Sequence, residues 1–324
     1  MNSVVRAWAR HRLSTVKSPE KKVAIMVPLT SANLNGDETI SMRHLREFLG
    51  SYDKFLLIPE GLEVRMEGFS EIPLDRKHFG SAANHNRMLY RTDFWEKFSA
   101  YEYVLMYHLD ALVFSDQLEE WCGRGLDFIG APFMRCAESP WVKEERVGNG
   151  GFALYRVPSV LKVLWSRYIG DPSKYWEDHF WKEREKLRSV LRPIRAAVPG
   201  WLRGSATSGL RSQLKKIDRT EVNERGNDLF WSDEAKGHWP DFNVGTLEEG
   251  LAFAFETQPS ISLERVGGRL PFGCHAWGRY DRGFWENYLL PSDERNEPTE
   301  KAAKTDDASR RRERGTTTLV HLPQ

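Results

Sequence analysis

The stretch YEYVLMYHLDALVFSD, Tyr101 to Asp116, constrains the fold more than any other part of the chain. It is apolar from Tyr103 to Phe114 except at His108 and Asp110. An unbroken apolar run rich in Val, Leu and aromatics reads as a strand buried on both faces, the kind found in a parallel sheet covered by helices. A carboxylate inside such a strand is costly unless it is paired, hydrogen-bonded or protonated. Asp110 therefore either caps the next helix through backbone amides or faces a ligand from the strand's carboxyl end. The residues alone leave both open.

The surroundings repeat the pattern. VAIMVPLT, Val23 to Thr30, is a core strand opening into the loop TSANLNGDET, and ISMRHLREFLGSY then places Ile40, Leu45, Phe48 and Leu49 at helical spacing. KFLLIPEG supplies a second strand and Phe69 to Leu74 a third. SAANHNRMLYRTDFWEKFSAY reads as one helix leading into the Tyr101 strand. DQLEEWCGRG follows as a helix closed by Gly123 or Gly125, and LDFIGAPF as a short strand. Strands alternating with helices predict an α/β fold with an open sheet. Further on, NDLFWSDEA and LEEGLAFAFE read as helices, and LPFGCHAW as a loop or short strand.

Composition sets the outer limits. With 40% hydrophobic and 12% aromatic residues in 324, the chain is globular rather than disordered throughout. A formal charge of +1 conceals a strongly basic stretch from Lys182 to Arg219, so net charge argues for no particular partner. That stretch lies in a segment, 165–219, read as a helical basic insertion, solvated or in contact with anionic lipid; no nucleic acid partner is expected. Residues 1–20 read as a flexible basic arm or short helix, and 291–324 as a disordered polar tail. Between them, 21–290 form the main domain. Three cysteines without CxxC spacing predict reduced thiols and a cytoplasmic setting, and no apolar run reaches membrane-spanning length.

Three further segments carry candidate chemistry. VGNGGFALYRV, Val147 to Val157, sets three glycines around Asn149, a tight turn before a strand or a backbone wall against a sugar ring. In ERGNDLFWSDEA, Asp228 follows Gly226 and Asn227 near a helix start, where an N-cap or a fixed catalytic base would equally stand; Glu221 and Glu224 are less constrained alternatives. In LPFGCHAWGRYD, His275 is a packed histidine or a metal ligand, and Cys274 and His275 are too few for a structural zinc site. Dinucleotide and P-loop fingerprints, the GxSxG elbow and HExxH are absent.

Taken together, YEYVLMYHLDALVFSDQLEEWCGRGLDFIGAPF, VGNGGFALYRV, GNDLFWSDEA, FAFE and LPFGCHAW resemble, in that order, a bacterial family of glycosyltransferase-like domains of unknown function, over roughly Val23 to Trp285. That family looks like the GT-A nucleotide-sugar transferases. The resemblance implies a Rossmann-like, mixed, mostly parallel sheet flanked by helices, with one active-site cleft. It implies that Asp110 matches the first acid of a DxD motif holding Mn²⁺ or Mg²⁺ against a nucleotide-sugar diphosphate, with Leu112 at the second acid position. His275 would complete the metal site, and Asp228 would be the base, with Asn227 in place of the usual Glu. Asn149, Gly150 and Gly151 would line the sugar and acceptor side. Thr30 would lie at the nucleotide, with Asn86 and Arg87 in reach of its ribose or phosphates. The implied activity is transfer of a sugar to an acceptor hydroxyl in cell-surface polysaccharide or glycoconjugate synthesis, with inversion if Asp228 is the base and retention if it only orients the sugar. A glycan or lipid-linked acceptor fits a protein peripheral to the inner face of a membrane. A non-catalytic sugar- or nucleotide-binding protein on the same fold is the alternative.

Overall fold

A computed structural model describes residues 2–176, 178–179 and 226–291. The chain divides into two units, Met1–Leu289 and Leu290–Gln324. Of the second, only Leu290 and Pro291 are among the described residues. The bulk of the basic segment within 165–219, Glu221, Glu224 and the polar tail beyond Pro291 lie outside them.

The first unit is built on a six-stranded sheet with the spatial order β3-β2-β1-β4-β7-β6. β1 is Lys21–Pro28, β2 Asp53–Pro59, β3 Phe69–Leu74, β4 Tyr101–Tyr107, β6 Phe128–Phe133 and β7 Arg146–Arg156. β1, β2, β3 and β4 pair in parallel, and β7 runs antiparallel to both of its neighbours, β4 and β6. This is the α/β sheet expected from the alternation of strands and helices, and its mixed, mostly parallel pairing is the one the family resemblance implied. β4 is central, and its residues Tyr103 to Tyr107 are all buried, as two covered faces require.

Helices α1 (Asn2–Ser14), α2 (Gly36–Leu49), α3 (Ala82–Leu89), α4 (Thr92–Trp95), α5 (Leu118–Gly123) and α6 (Val157–Gly170) flank the sheet. α2 starts at a capping box, in which Asn35 accepts from the Glu38 amide and the Glu38 carboxylate takes the Asn35 amide. Residues 1–20, read as an arm or short helix, hold α1, which buries Val5 and Ala9 in the core beside α6. Trp165, the first residue of the expected insertion, lies inside α6 and is buried with Tyr168.

Four local expectations change. The helix expected over Ser81–Tyr101 breaks at Arg91, which is extended, and the Trp95 indole donates to the Leu89 carbonyl at 2.8 Å, closing α3. The Tyr101–Phe114 run is two strands, because β4 stops at Tyr107 and β5 (Leu112–Val113) joins a second sheet. The glycines of VGNGG lie within β7 and none has positive φ. FAFE leaves the helix Leu247–Phe253 to form β8, Ala254–Phe255. β8, β5 and β9 (Gly273–Cys274) make the second sheet in the order β5-β9-β8.

Candidate functional site

β1 and β4 are neighbours, but the connections leave β1 toward β2 on one side and β4 toward β7 on the other. At such a reversal the loops part beyond the carboxyl ends of the strands and leave a crevice. His108 and Asp110 follow β4 at that edge, and Thr30 follows β1. His108 still donates its amide to the Gly151 carbonyl at 2.9 Å, extending the ladder to β7 by one residue. The chain then turns, with the Ala111 amide on the His108 carbonyl at 2.9 Å, and leaves Asp110 projecting with a 56% exposed side chain.

The second sheet supplies the partner. Leu112 pairs with Cys274 across β5 and β9, so the next residue, His275, stands against Asp110. Its Nε2 lies 3.3 Å from Asp110 Oδ1, and its Nδ1 lies 3.1 Å from Glu256 Oε1 at the end of β8. The Asn149 side-chain amide donates to the same Glu256 oxygen at 2.7 Å, and Asn149 Oδ1 accepts from the Gly151 amide at 2.9 Å. His108 packs edge-on to His275, ring centroids 5.7 Å apart, and to His85 at 5.1 Å. Leu112, where a second acid was sought, is fully buried in the strand.

Glycine permits this closeness. A Cβ on Gly151 would stand 2.0 Å from His275 Nε2, and one on Gly150 would stand 2.6 Å from Asp228 Oδ1. The glycines serve close approach rather than a turn. Asp228 sits in the first turn of the helical segment Asn227–His238, which contains a π-turn over Phe230–Glu234. Insertions of this kind occur often at functional sites. Asn86 on α3 reaches the same turn, its amide nitrogen 3.9 Å from the Cβ position of Gly226, and Arg87 follows it, half-buried. Thr30 is exposed at the shared edge, and among the described residues no hydrogen bond joins it to His275 or its partners.

Two carboxylates, Asp110 and Glu256, converge on the His275 imidazole. Burial opposes a charge on His275, but the Asp110 and Glu256 carboxylates outweigh it and raise its pKa. Burial would raise Asp110, yet His275 and, less strongly, His108 hold it below the usual carboxylate range, an attraction that solvent partly screens. Burial lowers His108, as do the rings of His85 and His275. Asp228 is the opposite case, because burial outweighs the pull of His275 and lifts it to about 6. The Tyr155 hydroxyl is buried without a hydrogen-bond partner among the described residues, 3.1 Å from the Gly150 Cβ position.

His108, Asp110 and His275 each offer one donor atom, all within 4.8 Å of one another. Among the described residues the buried Nε2 atoms of both histidines have no hydrogen-bond partner, and His275 Nε2 meets Asp110 Oδ1 only at 3.3 Å. Two orphaned imidazole nitrogens beside a carboxylate fit a divalent cation. Sequence reasoning missed His108 and Glu256 as members of this group. The first signalled itself as the other polar break in the Tyr103–Phe114 run, and the second as the acid ending FAFE. A cavity of about 430 Å³ lies at the opposite, amino end of β1 and β4, beside Glu20, Glu96, Ala100 and Trp165, away from this group.

Residues 69–275 match the family described as a protein of unknown function, DUF5672. The chain belongs to that family. The match begins later and ends earlier than the resemblance read from the motifs, and it spans every candidate residue except Thr30. No curated protein matches the chain. Among solved structures it is similar to the mannosyltransferase Ktr4p from S. cerevisiae, with 10% identity, 54% of this chain and 72% of that one covered, and a TM-score of 0.34. It is also similar to the glycosyltransferase GlyE of Streptococcus pneumoniae TIGR4, with 12% identity, 84% of this chain covered and a TM-score of 0.39. The chain spans 61% of the GlyE chain.

Proposed function

We propose that this family member is a GT-A-like glycosyltransferase that takes a sugar from a nucleotide-diphospho-sugar. The observation that carries the reading is the convergence, at the β1/β4 crevice, of His108, Asp110 and His275 with Asp228 beyond the side-chain-free backbone of Gly150 and Gly151. A divalent cation held by Asp110 and His275 would neutralise charge developing on a leaving diphosphate. Gly150 and Gly151 present bare backbone, which admits a sugar ring to close contact, and the Asn149 amide is held in place by Glu256. Asp228 is poised near neutrality and takes the proton of an acceptor hydroxyl. Attack from that side inverts the sugar. Asn86, Arg87 and Thr30 line the approach for the nucleotide.

The acceptor in this reading is a glycan or a lipid-linked sugar of cell-surface polysaccharide synthesis, met by a cytoplasmic protein at the inner face of a membrane. No helix among the described residues is long and apolar enough to cross a bilayer. Liposome co-sedimentation before and after deletion of Lys182–Lys216 tests the membrane contact, and unchanged sedimentation rejects it.

The main test is calorimetric titration with UDP-, GDP- and dTDP-sugars plus Mn²⁺, followed by donor hydrolysis assays. Binding of one donor, with turnover lost in Asp228→Asn, is expected. No binding at millimolar ligand rejects the reading. A binding-only protein is the second reading, favoured by the burial of Leu112, which leaves Asp110 without a second acid on its own strand. Donor binding without hydrolysis in the wild type would select it.

A further inference from the structure

The cation site proposed above carries a chemical preference of its own. In the DxD pattern the second acid stands two residues after the first, and here that residue is Leu112, buried and paired with Cys274. Two residues before Asp110 stands His108, whose Nε2 is buried without a hydrogen bond among the described residues, and one of whose ring nitrogens lies within 4.8 Å of the donor atoms of Asp110 and His275. Two donors each about 2.1 Å from one ion at a near-tetrahedral angle lie roughly 3.4 Å apart. Asp110 Oδ1 and His275 Nε2 are 3.3 Å apart.

We propose that His108 occupies the ligand place Leu112 leaves empty, so that the site is a two-imidazole, one-carboxylate donor set selecting transition-series dications over Mg²⁺ and Ca²⁺, with Glu256 as the positioning residue behind His275. The proposal rests on reading this crevice as a cation site.

The chemistry follows from the donor atoms. Mg²⁺ and Ca²⁺ are hard ions that take oxygen and give up water reluctantly, so two imidazoles offer them little. Imidazole binds Co²⁺ and Zn²⁺ strongly, and affinities at nitrogen-containing sites rise from Mn²⁺ toward Cu²⁺. Glu256 makes the donor set usable. With its carboxylate on His275 Nδ1 at 3.1 Å, it accepts that nitrogen's proton in a hydrogen bond and leaves the Nε2 lone pair for the ion. Asn149, at 2.7 Å on the same Glu256 oxygen, keeps the carboxylate from turning away. β7 thus braces the ligand on β9 through one acid.

The test uses the full chain, chelator-treated and free of nucleotide, titrated with Co²⁺, Mn²⁺ and Mg²⁺. Visible absorption reads Co²⁺ geometry, calorimetry reads affinity, and electron spin-echo modulation on bound Mn²⁺ counts coordinated nitrogens. Expected are one ion per chain, Co²⁺ and Mn²⁺ bound at least about tenfold tighter than Mg²⁺, and coupling to two imidazoles. His108→Gln should remove one nitrogen coupling and lower Co²⁺ affinity about 10- to 100-fold, and Glu256→Ala should lower affinity by a similar factor while keeping both couplings. Glu256→Gln should restore part of that loss. His108→Asp, which supplies an oxygen donor, should narrow the gap between Co²⁺ and Mg²⁺. Circular dichroism verifies that each variant is folded. Mg²⁺ binding as tight as Co²⁺, or unchanged nitrogen coupling in His108→Gln, overturns the proposal while leaving a glycosyltransferase reading intact. Loss of nucleotide-sugar binding in a wild type that keeps the Co²⁺ preference would instead overturn that reading alone.

Discussion

Gly151 is the position where a single methyl group most directly tests the architecture. Its Cβ would lie 2.0 Å from His275 Nε2, 2.4 Å from Cδ2 and 2.6 Å from Cε1, against 3.4 Å for an ordinary contact. The imidazole would have to retreat by about 1.4 Å, or β7 would have to bend where its amide is held by Asn149 Oδ1 and its carbonyl by the His108 amide. Either movement separates Nε2 from Asp110 and strains the 3.1 Å contact of Nδ1 with Glu256. Overpacking of this kind costs about 1–3 kcal/mol of stability, and an ångström of misplacement in a reactive site costs roughly 100-fold in rate. Gly151→Ala is therefore expected to lower turnover about 100-fold. It should weaken Mn²⁺ binding at least about tenfold, the loss typical of a disturbed ligand setting, while the chain stays folded. Thermal unfolding, Mn²⁺ calorimetry and donor hydrolysis read the three effects. Gly170→Ala is the control, because among the described residues nothing lies within 4 Å of its Cβ position. A Gly151→Ala protein with wild-type Mn²⁺ affinity and turnover would refute the idea that bare backbone seats His275.

Four further outcomes follow from the same geometry. Gly150→Ala, whose Cβ would stand 2.6 Å from Asp228 Oδ1 whereas it is the Gly151 position that meets His275, should reduce turnover by a larger factor than Mn²⁺ affinity; parallel calorimetry and kinetics check this. Asp228 is lifted from 3.8 to about 6, with Tyr155, Tyr90, Glu256 and His275 around it. Between those pH values the native state binds more protons than the unfolded chain, so this residue's contribution to stability falls as pH rises through the window. Asp228→Asn should thus gain in stability relative to wild type between pH 4 and pH 7, by no more than about 3 kcal/mol and less to the extent that solvent reaches this mostly buried side chain, as urea unfolding at both pH values would measure. Wild-type turnover should rise through pH about 6 as Asp228 loses its proton, and a flat profile there would remove it as the base. Leu112→Asp, which writes the DxD pattern back into the chain, should destabilise by several kcal/mol and restore no cation affinity, because that side chain is fully buried in the β5–β9 pair; chemical denaturation and Mn²⁺ titration read both.

Much of the main sheet was legible as local pattern. VAIMVPLT, KFLLIPEG, Phe69–Leu74 and LDFIGAPF became β1, β2, β3 and β6 because apolar runs of strand length with breakers after them have few other uses. The misreadings occur where neighbours in space overrode the local signal. Tyr101–Phe114 looked continuous because both parts are buried, yet its halves belong to different sheets. VGNGG left a tight turn and a close backbone approach both open, and the fold decides for the second: its glycines lie in the strand and make room for Phe133, Asp228 and His275.

By itself, then, the sequence determined the class of fold and pointed to Asp110, Asn149, Gly150, Gly151, Asp228 and His275, because hydrophobic periodicity and polar residues out of place within it are local properties. The tertiary structure alone decided how those residues meet. Pairing Leu112 with Cys274 sets His275 against Asp110, and ending β8 at Phe255 sets Glu256 behind it. His108 joins them at the end of the ladder between β4 and β7, where its amide meets the Gly151 carbonyl beside His275. Such meetings depend on strand register across distant segments, which burial and backbone hydrogen bonding settle collectively and no short stretch of sequence encodes.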